Sequence, residues 1–299
     1  MRIAVVTTSW PAGQGDPSGH FVAAEARALT RQGHDVVVLK PTAGGAFGWP
    51  GVVARLRERP GRAIEAARWV AASCLRVGRI HPDRVVAHWA VPCAFPIAFG
   101  ARHAAIEAVS HGADVRLLTA IPGPARRSVV GAIASRAERW RFASETLLSE
   151  LMRTLDRGTR VRVERIAVVE SASMEMPDVT EAIASCRRAL GDLRVAVSVG
   201  RLVPGKRVDL AIDHVARTRG VDALVVVGDG PELERLARHA SERRVDARFV
   251  GLVAREVALA WIGAAHVLLH ASEAEGQSTV LREAEALGTP IEVLSPLRE

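Results

Sequence analysis

The chain has 299 residues, 48% hydrophobic, 24% charged and 4% aromatic, and no apolar run approaches the roughly eighteen residues that a membrane-spanning helix needs. That is the composition of a globular, non-spanning protein long enough for two domains with substantial cores. The net charge of +7 is unevenly divided, +10 over residues 1–170 and −3 over residues 171–299. An Arg-rich first half suits anionic lipid, a phosphorylated acceptor or nucleic acid. Nucleic acid is the weakest of these, because no zinc-finger, RNP or helix-turn-helix pattern is present and few aromatics are available to stack bases. Cys74, Cys93 and Cys186 are scattered, odd in number and without a CxxC pair, so they are read as core thiols. Arg2 leads directly into a short strand with no signal-like apolar stretch, and a cytoplasmic location is expected.

Ile3 to Thr8 reads as a buried strand, Phe21 to Gln32 as a helix ending at Gly33, and Val36 to Leu39 as the next strand. Strand, helix, strand implies a right-handed parallel unit and a doubly wound α/β sheet. The connecting loop, PAGQGDPSGH, contains Gly13, Gly15 and Gly19. Two prolines, the wrong spacing and Lys40 in place of an acidic residue argue against a dinucleotide fingerprint. Residues 51–79 read as helix interrupted at Pro60-Gly61. They carry seven arginines against Glu58 and Glu65, with Trp49 and Trp69 adding amphipathic bulk, so peripheral contact with an anionic membrane is one expectation and a solvated helix face the other.

Further strands are predicted at Val85 to His88, in front of the segment HWAVPCAFPIAF, and at Ala105 to Ser110, in front of His111-Gly112-Ala113-Asp114. The C-terminal end of a parallel strand is where open α/β sheets bind ligands, which places His111 well for chemistry; Asp114 is read as a helix cap. Trp140 to Ala143 and Ile166 to Val169 follow, and a domain boundary is placed near Ser171. After a helix at Thr180 to Leu190, strand Val195 to Val199 runs into Gly200-Arg201-Leu202-Val203-Pro204-Gly205-Lys206. Lysine occurs only at positions 40 and 206. In a chain that writes its other cations as Arg, Lys206 beside Arg201 is a candidate phosphate-binding pair. Ala223 to Val227 leads into Gly228-Asp229-Gly230-Pro231-Glu232, and Phe249-Val250-Gly251 closes another strand.

The apolar run Ala264 to Leu269 is taken as a strand that feeds HASEAEGQSTVLREAEALGTP. Ser278 suits an N-cap, and Val280, Ala284 and Leu287 share one helical face with Glu283 on its flank. The backbone N–H groups of Gln277, Ser278, Thr279 and Val280 would then meet an anion with the positive helix end behind them. Glu283 lies about 7 Å further along the axis, at about 1.5 Å per residue, within reach of a ribose. His266 and His270 are four apart, but on a strand that is roughly 13 Å at about 3.3 Å per residue, too far for one metal ion.

Glu275 and Glu283, followed by Gly288-Thr289-Pro290, resemble the paired-glutamate signature of the family-4 retaining glycosyltransferases of the GT-B fold. TTSWPAGQGDPSGHFVAAEARALTRQGHDVVVLKP, HGAD, GRLVPGK and GDGPE resemble the family's corresponding segments. The resemblance implies two Rossmann-like domains facing a cleft, residues 1–170 on the acceptor side and 171–299 binding a nucleotide-diphosphate sugar, and metal-free transfer to a glycan or lipid-linked acceptor without a separate cofactor. By resemblance Glu275, His111, Arg201 and Lys206 are the catalytic candidates. Gly19, Gly200, Gly228, Gly251, Gly276, Gln277, Ser278, Thr279, Val280 and Glu283 are the donor-binding ones. The linker VVESASMEMPD departs from the Pro-Asn-Gly linker usual in the family, and family members continue beyond IEVLSPLRE. A shortened, non-catalytic nucleotide-sugar-binding relative, or a sugar-nucleotide hydrolase or epimerase on the same fold, are therefore the alternative expectations.

Overall fold

The computed structural model describes the chain apart from residues 14–15, 17, 43, 48–51, 172–173, 272–277 and 296–299, and apart from the side chains of residues 53 and 54. It divides into two compact units, one of residues 1–12 and 18–175 and the other of residues 13–17 and 176–299, so the main division falls a few residues beyond the boundary expected near Ser171.

The first unit is a six-stranded sheet. Its elements are β1 (Arg2–Val6), α1 (His20–Arg31), β2 (Asp35–Leu39), α2 (Val52–Glu58), α3 (Arg62–Ile80), β3 (Arg84–His88), β4 (Ala105–Ser110), α4 (Ala113–Ala120), α5 (Gly123–Arg136), β5 (Arg139–Phe142), α6 (Glu145–Met152), α7 (Arg157–Glu164) and β6 (Ala167–Val169). The strands pair in parallel in the order β2-β1-β3-β4-β5-β6. Their near-continuous apolar runs follow from burial on both faces. In β1, Ala4 and Val6 enter one core with Val85, Ile106 and Trp140, while Ile3 and Val5 enter the other with Val22 and Val109. The break at Pro60-Gly61 separates α2 from α3 as the sequence predicts. Trp69, expected to add amphipathic bulk to this segment, packs on Phe47 with ring centroids 5.0 Å apart and lies partly buried against the first core. Burying the indole removes more apolar area from water than an outward position would. Trp49 lies outside the described residues.

The second unit contains α8 (Thr180–Leu190), β7 (Val195–Val199), α9 (Val208–Arg217), β8 (Ala223–Val227), α10 (Leu233–Glu242), β9 (Ala247–Gly251), α11 (Arg255–Ala264), β10 (Val267–His270), α12 (Thr279–Leu287) and β11 (Ile291–Val293). Its strands are also parallel, in the order β11-β10-β7-β8-β9. The strand expected from Ala264 begins only at Val267. Ala264 closes α11, and Ala265 is its extended C-cap, its N–H bonded to the carbonyls of Trp261 and Ile262. A short run of Ala and Val fits a buried helix end as well as a strand, so periodicity alone misplaces this boundary.

Sheet order locates the ligand edge of each unit. In open α/β sheets, ligands sit beyond the carboxyl ends of the strands where the order reverses. That point falls between β1 and β3 in the first unit and between β7 and β10 in the second.

Candidate active site

In the second unit, β7 ends at Val199, Gly200 follows, and the chain makes a short turn over Pro204–Lys206 before α9. The turn folds Lys206 back over the strand end. A Cβ on Gly200 would lie 3.6 Å from Lys206 Cε and 3.9 Å from its Nζ. His270, the last residue of β10, is the neighbour on the other side of the reversal. Burial pushes its imidazole down to about pKa 4, and the adjacent Lys206 ammonium pushes in the same direction. Lys206 therefore sits at the switch point. Arg201 is half-buried beside it in sequence, between Gly200 and a Leu202 whose N–H donates to the Asp229 carbonyl at 2.9 Å.

The adjacent turn is fixed by close backbone packing. Gly200 N–H donates to the Val227 carbonyl at 3.0 Å, and Gly228 N–H donates to the Gly251 carbonyl at 2.9 Å. Gly228 has φ +138°, and a Cβ there would collide with the Gly200 carbonyl. Close approach demands glycine at position 228, whereas Gly200 at φ +155° and Gly251 at φ +78° are favoured by their backbone conformation instead.

Helix α12 begins at Thr279 with Ser278 at its N-cap, as expected, although no backbone N–H donates to the Ser278 side chain. The amides of Ser278, Thr279 and Val280 stand on the same edge of the sheet, directly after β10. Glu283 is buried and Glu285 exposed, the division that the helical wheel predicts. Glu283 is gripped by Arg255 at the start of α11, with Nε and a terminal nitrogen 2.9 and 2.8 Å from Oε1. No sequence pattern points to Arg255, since a lone arginine at a helix start carries no signal of such a role. Glu275, Gly276 and Gln277 lie outside the described residues.

In the first unit, Gly19 is the N-cap of α1 in the left-handed region, φ +62°, and a Cβ would strike the Ser9 carbonyl. His111 follows β4, and His88 ends the neighbouring β3. His88 Nδ1 and His111 Nε2 are 3.0 Å apart. Trp89, at the non-glycine φ of +73°, lays its ring 4.9 Å from His111, and Phe21 lies 4.7 Å away on another side. Such a backbone costs about 1–3 kcal/mol and persists only where its surroundings enforce it.

Asp114 supplies that enforcement. Its buried carboxylate accepts from the N–H groups of Ala90 at 2.8 Å and of His111 and Gly112 at 3.1 Å each, tying the ends of β3 and β4 together. The expected helix-cap role is corrected: Gly112 occupies the cap, and Asp114 reaches back from the first turn. Beneath His88 lies a buried charge cluster in which Glu25 of α1 pairs with Arg141 of β5, and Arg141 Nε stands 2.6 Å from Glu107 Oε1. Burial first, and then the Arg141 charge, pushes His88 down to about pKa 3. For His111 burial leads again, with His88 and Arg141 lowering it further and Asp114 opposing, also to about 3. Both rings are neutral at physiological pH.

Two parallel α/β units with these switch points define the class of fold, and solved structures match it over nearly the whole chain. HepE of Anabaena in complex with UDP-glucose superposes with a TM-score of 0.66 at 18% identity, covering 98% of this chain and 80% of that one. Sucrose-phosphate synthase from Thermosynechococcus elongatus gives 0.71 at 18% identity, covering 98% and 81%. The fold is GT-B, two Rossmann-like units in one chain. In sequence, an alignment 214 positions long, covering 66% of this chain and 53% of the relative, is 32% identical to the GDP-mannose-dependent alpha-(1-6)-phosphatidylinositol monomannoside mannosyltransferase of Mycolicibacterium smegmatis. Residues 181–294 match the family model Glycosyl transferases group 1.

Proposed function

We propose that the chain is a retaining glycosyltransferase that moves a sugar from a nucleoside-diphosphate sugar to a hydroxyl of a glycan or lipid-linked acceptor. The observation that carries this reading is the placement of Lys206 over Gly200 and beside His270, at the reversal of strand order where the first turn of α12 also begins. A cation and a helix N-terminus at one point suit the departing diphosphate, whose charge grows in the transition state. Arg201 and the amides of Ser278, Thr279 and Val280 share that task. Glu283, oriented by Arg255, is assigned to the ribose, Glu275 to the sugar hydroxyls, and His111 to the transferred sugar. The bond from the anomeric carbon to the phosphate oxygen breaks, the bond to the acceptor oxygen forms on the same face, and the acceptor's proton passes to the leaving phosphate. No metal or separate cofactor is assigned.

The donor is sought by calorimetric titration with UDP-, GDP- and ADP-sugars. The similarity to the mycobacterial enzyme makes GDP-mannose, with a phosphatidylinositol mannoside acceptor, the first pair to try. Lys206→Ala and Glu275→Ala should each lower turnover roughly 10²–10³-fold, the range for removing one group that stabilises transition-state charge, with the fold intact. Near-normal rates in both refute the assignment. Donor turnover in the absence of acceptor identifies a hydrolase, and donor binding without any turnover a non-catalytic relative.

A further inference from the structure

The rings of His88 and His111 lie 7° from coplanar, with centroids 5.3 Å apart and facing nitrogens 3.0 Å apart. The excess of the first distance over the second is about two ring radii, so the rings meet edge to edge in one plane. This is a nearly linear N–H···N hydrogen bond and not a face-to-face stack. One of the two nitrogens must carry the proton and the other the lone pair.

The far side of His88 decides which. His88 is fully buried, and its Nε2 lies 3.6 Å from Glu25 Oε2; among the described residues neither atom has a closer hydrogen-bonding partner. A lone pair on Nε2 would point at a carboxylate in a buried site, whereas an N–H there is attracted to it. Glu25 is ion-paired with Arg141, and the same guanidinium disfavours a second proton on either imidazole. With its one proton on Nε2, His88 presents the Nδ1 lone pair to His111.

We propose that His88 is a positioning residue: faced at Nε2 by Glu25, it accepts a hydrogen bond from His111 Nε2 and fixes His111 as the Nε2–H tautomer, with the Nδ1 lone pair left to accept from a sugar hydroxyl. Asp114 acts on the same ring from the other side by pinning the His111 main chain, so both the position and the proton of His111 are set by buried carboxylates. The inference rests on the glycosyl-transfer reading only for what His111 meets; the tautomer itself does not depend on it.

The test is long-range 1H–15N correlation of the imidazoles in the full-length protein labelled with 15N-histidine at pH 7.5, with His111 identified from the signals missing in His111→Gln. The expected result is Nε2 of the protonated type and Nδ1 of the unprotonated type for His111. His88→Phe, which cannot accept, should leave His111 averaging between tautomers. His88→Gln, whose amide oxygen can accept, should restore the Nε2–H form. Turnover should follow, with kcat falling by up to about 100-fold in His88→Phe at little change in donor KM and largely recovered in His88→Gln. A His111 protonated at Nδ1 in the unaltered protein, or unchanged in His88→Phe, overturns the proposal. Should His88→Phe not fold, the unaltered protein and His88→Gln still decide. An unaltered protein with the expected tautomer and no transfer activity would refute the functional reading and leave the relay standing.

Discussion

Three imidazoles, at His88, His111 and His270, ionise in the folded chain only near pH 3–4, against about 6.5 in an unfolded one. Between those values the unfolded state holds more protons than the folded state, so stability rises with pH across the window and is lost as pH falls below about 6.5. The thermal midpoint should therefore drop on going from pH 7.5 to pH 5, before most carboxylates begin to titrate, and a flat profile over that range would contradict the burial of these rings. A second residue-scale consequence concerns Arg255. Replacing it with Met takes a close positive charge away from the buried Glu283 carboxylate and should cost up to about 3–5 kcal/mol in denaturant unfolding. Replacing both residues with apolar ones of similar size should recover much of that loss. At this scale the sequence was legible in part: Lys206 stood out because lysine is rare here, and Glu283 was separated from Glu285 by helical phase. Arg141 and Glu25 were not, since 116 positions separate them and only the placement of α1 over the sheet brings them together.

Strand ends carry the chemistry at the scale of elements, and their spacing depends on glycine. Gly228→Ala would force a Cβ into the Gly200 carbonyl at a φ that side chains rarely adopt, and should destabilise the protein by about 1–3 kcal/mol while disturbing donor binding. Gly205→Ala, exposed and with no atom within 4 Å of the added carbon, is the control and should leave both unchanged. The parallel strands were readable because burial on both faces writes them as apolar runs between glycine-rich loops. The start of β10 was not, since Ala264 and Ala265 satisfy a helix end equally well. The partnership of His88 with His111 needed the adjacency of β3 and β4, which no local pattern encodes.

Across the whole molecule, charge is distributed as unevenly as function. On α3, Ile64 and Leu75 are exposed at 62% and 65%, and Arg68, Arg76 and Arg79 are exposed around them, although Trp69 turns inward. No described helix is long and apolar enough to cross a membrane. An apolar stripe edged with arginine suits a surface bearing a lipid-linked acceptor. The chain should cosediment with anionic vesicles at low ionic strength, release as salt shortens the Debye length to a few ångströms, and bind less when Arg68, Arg76 and Arg79 are changed to Gln. Equal binding to neutral vesicles would remove this reading. The scarcity of lysine has one more outcome. Only two side-chain amines exist in the chain: Lys40, exposed with its Nζ 5.1 Å above the Trp10 ring, and Lys206, half-buried at the carboxyl end of the second sheet's strands. Mild acylation followed by peptide mapping thus comes with its own calibration. Position 40 records the dose of reagent, and protection at position 206 by a trial nucleotide gives its occupancy without isotopes or an acceptor.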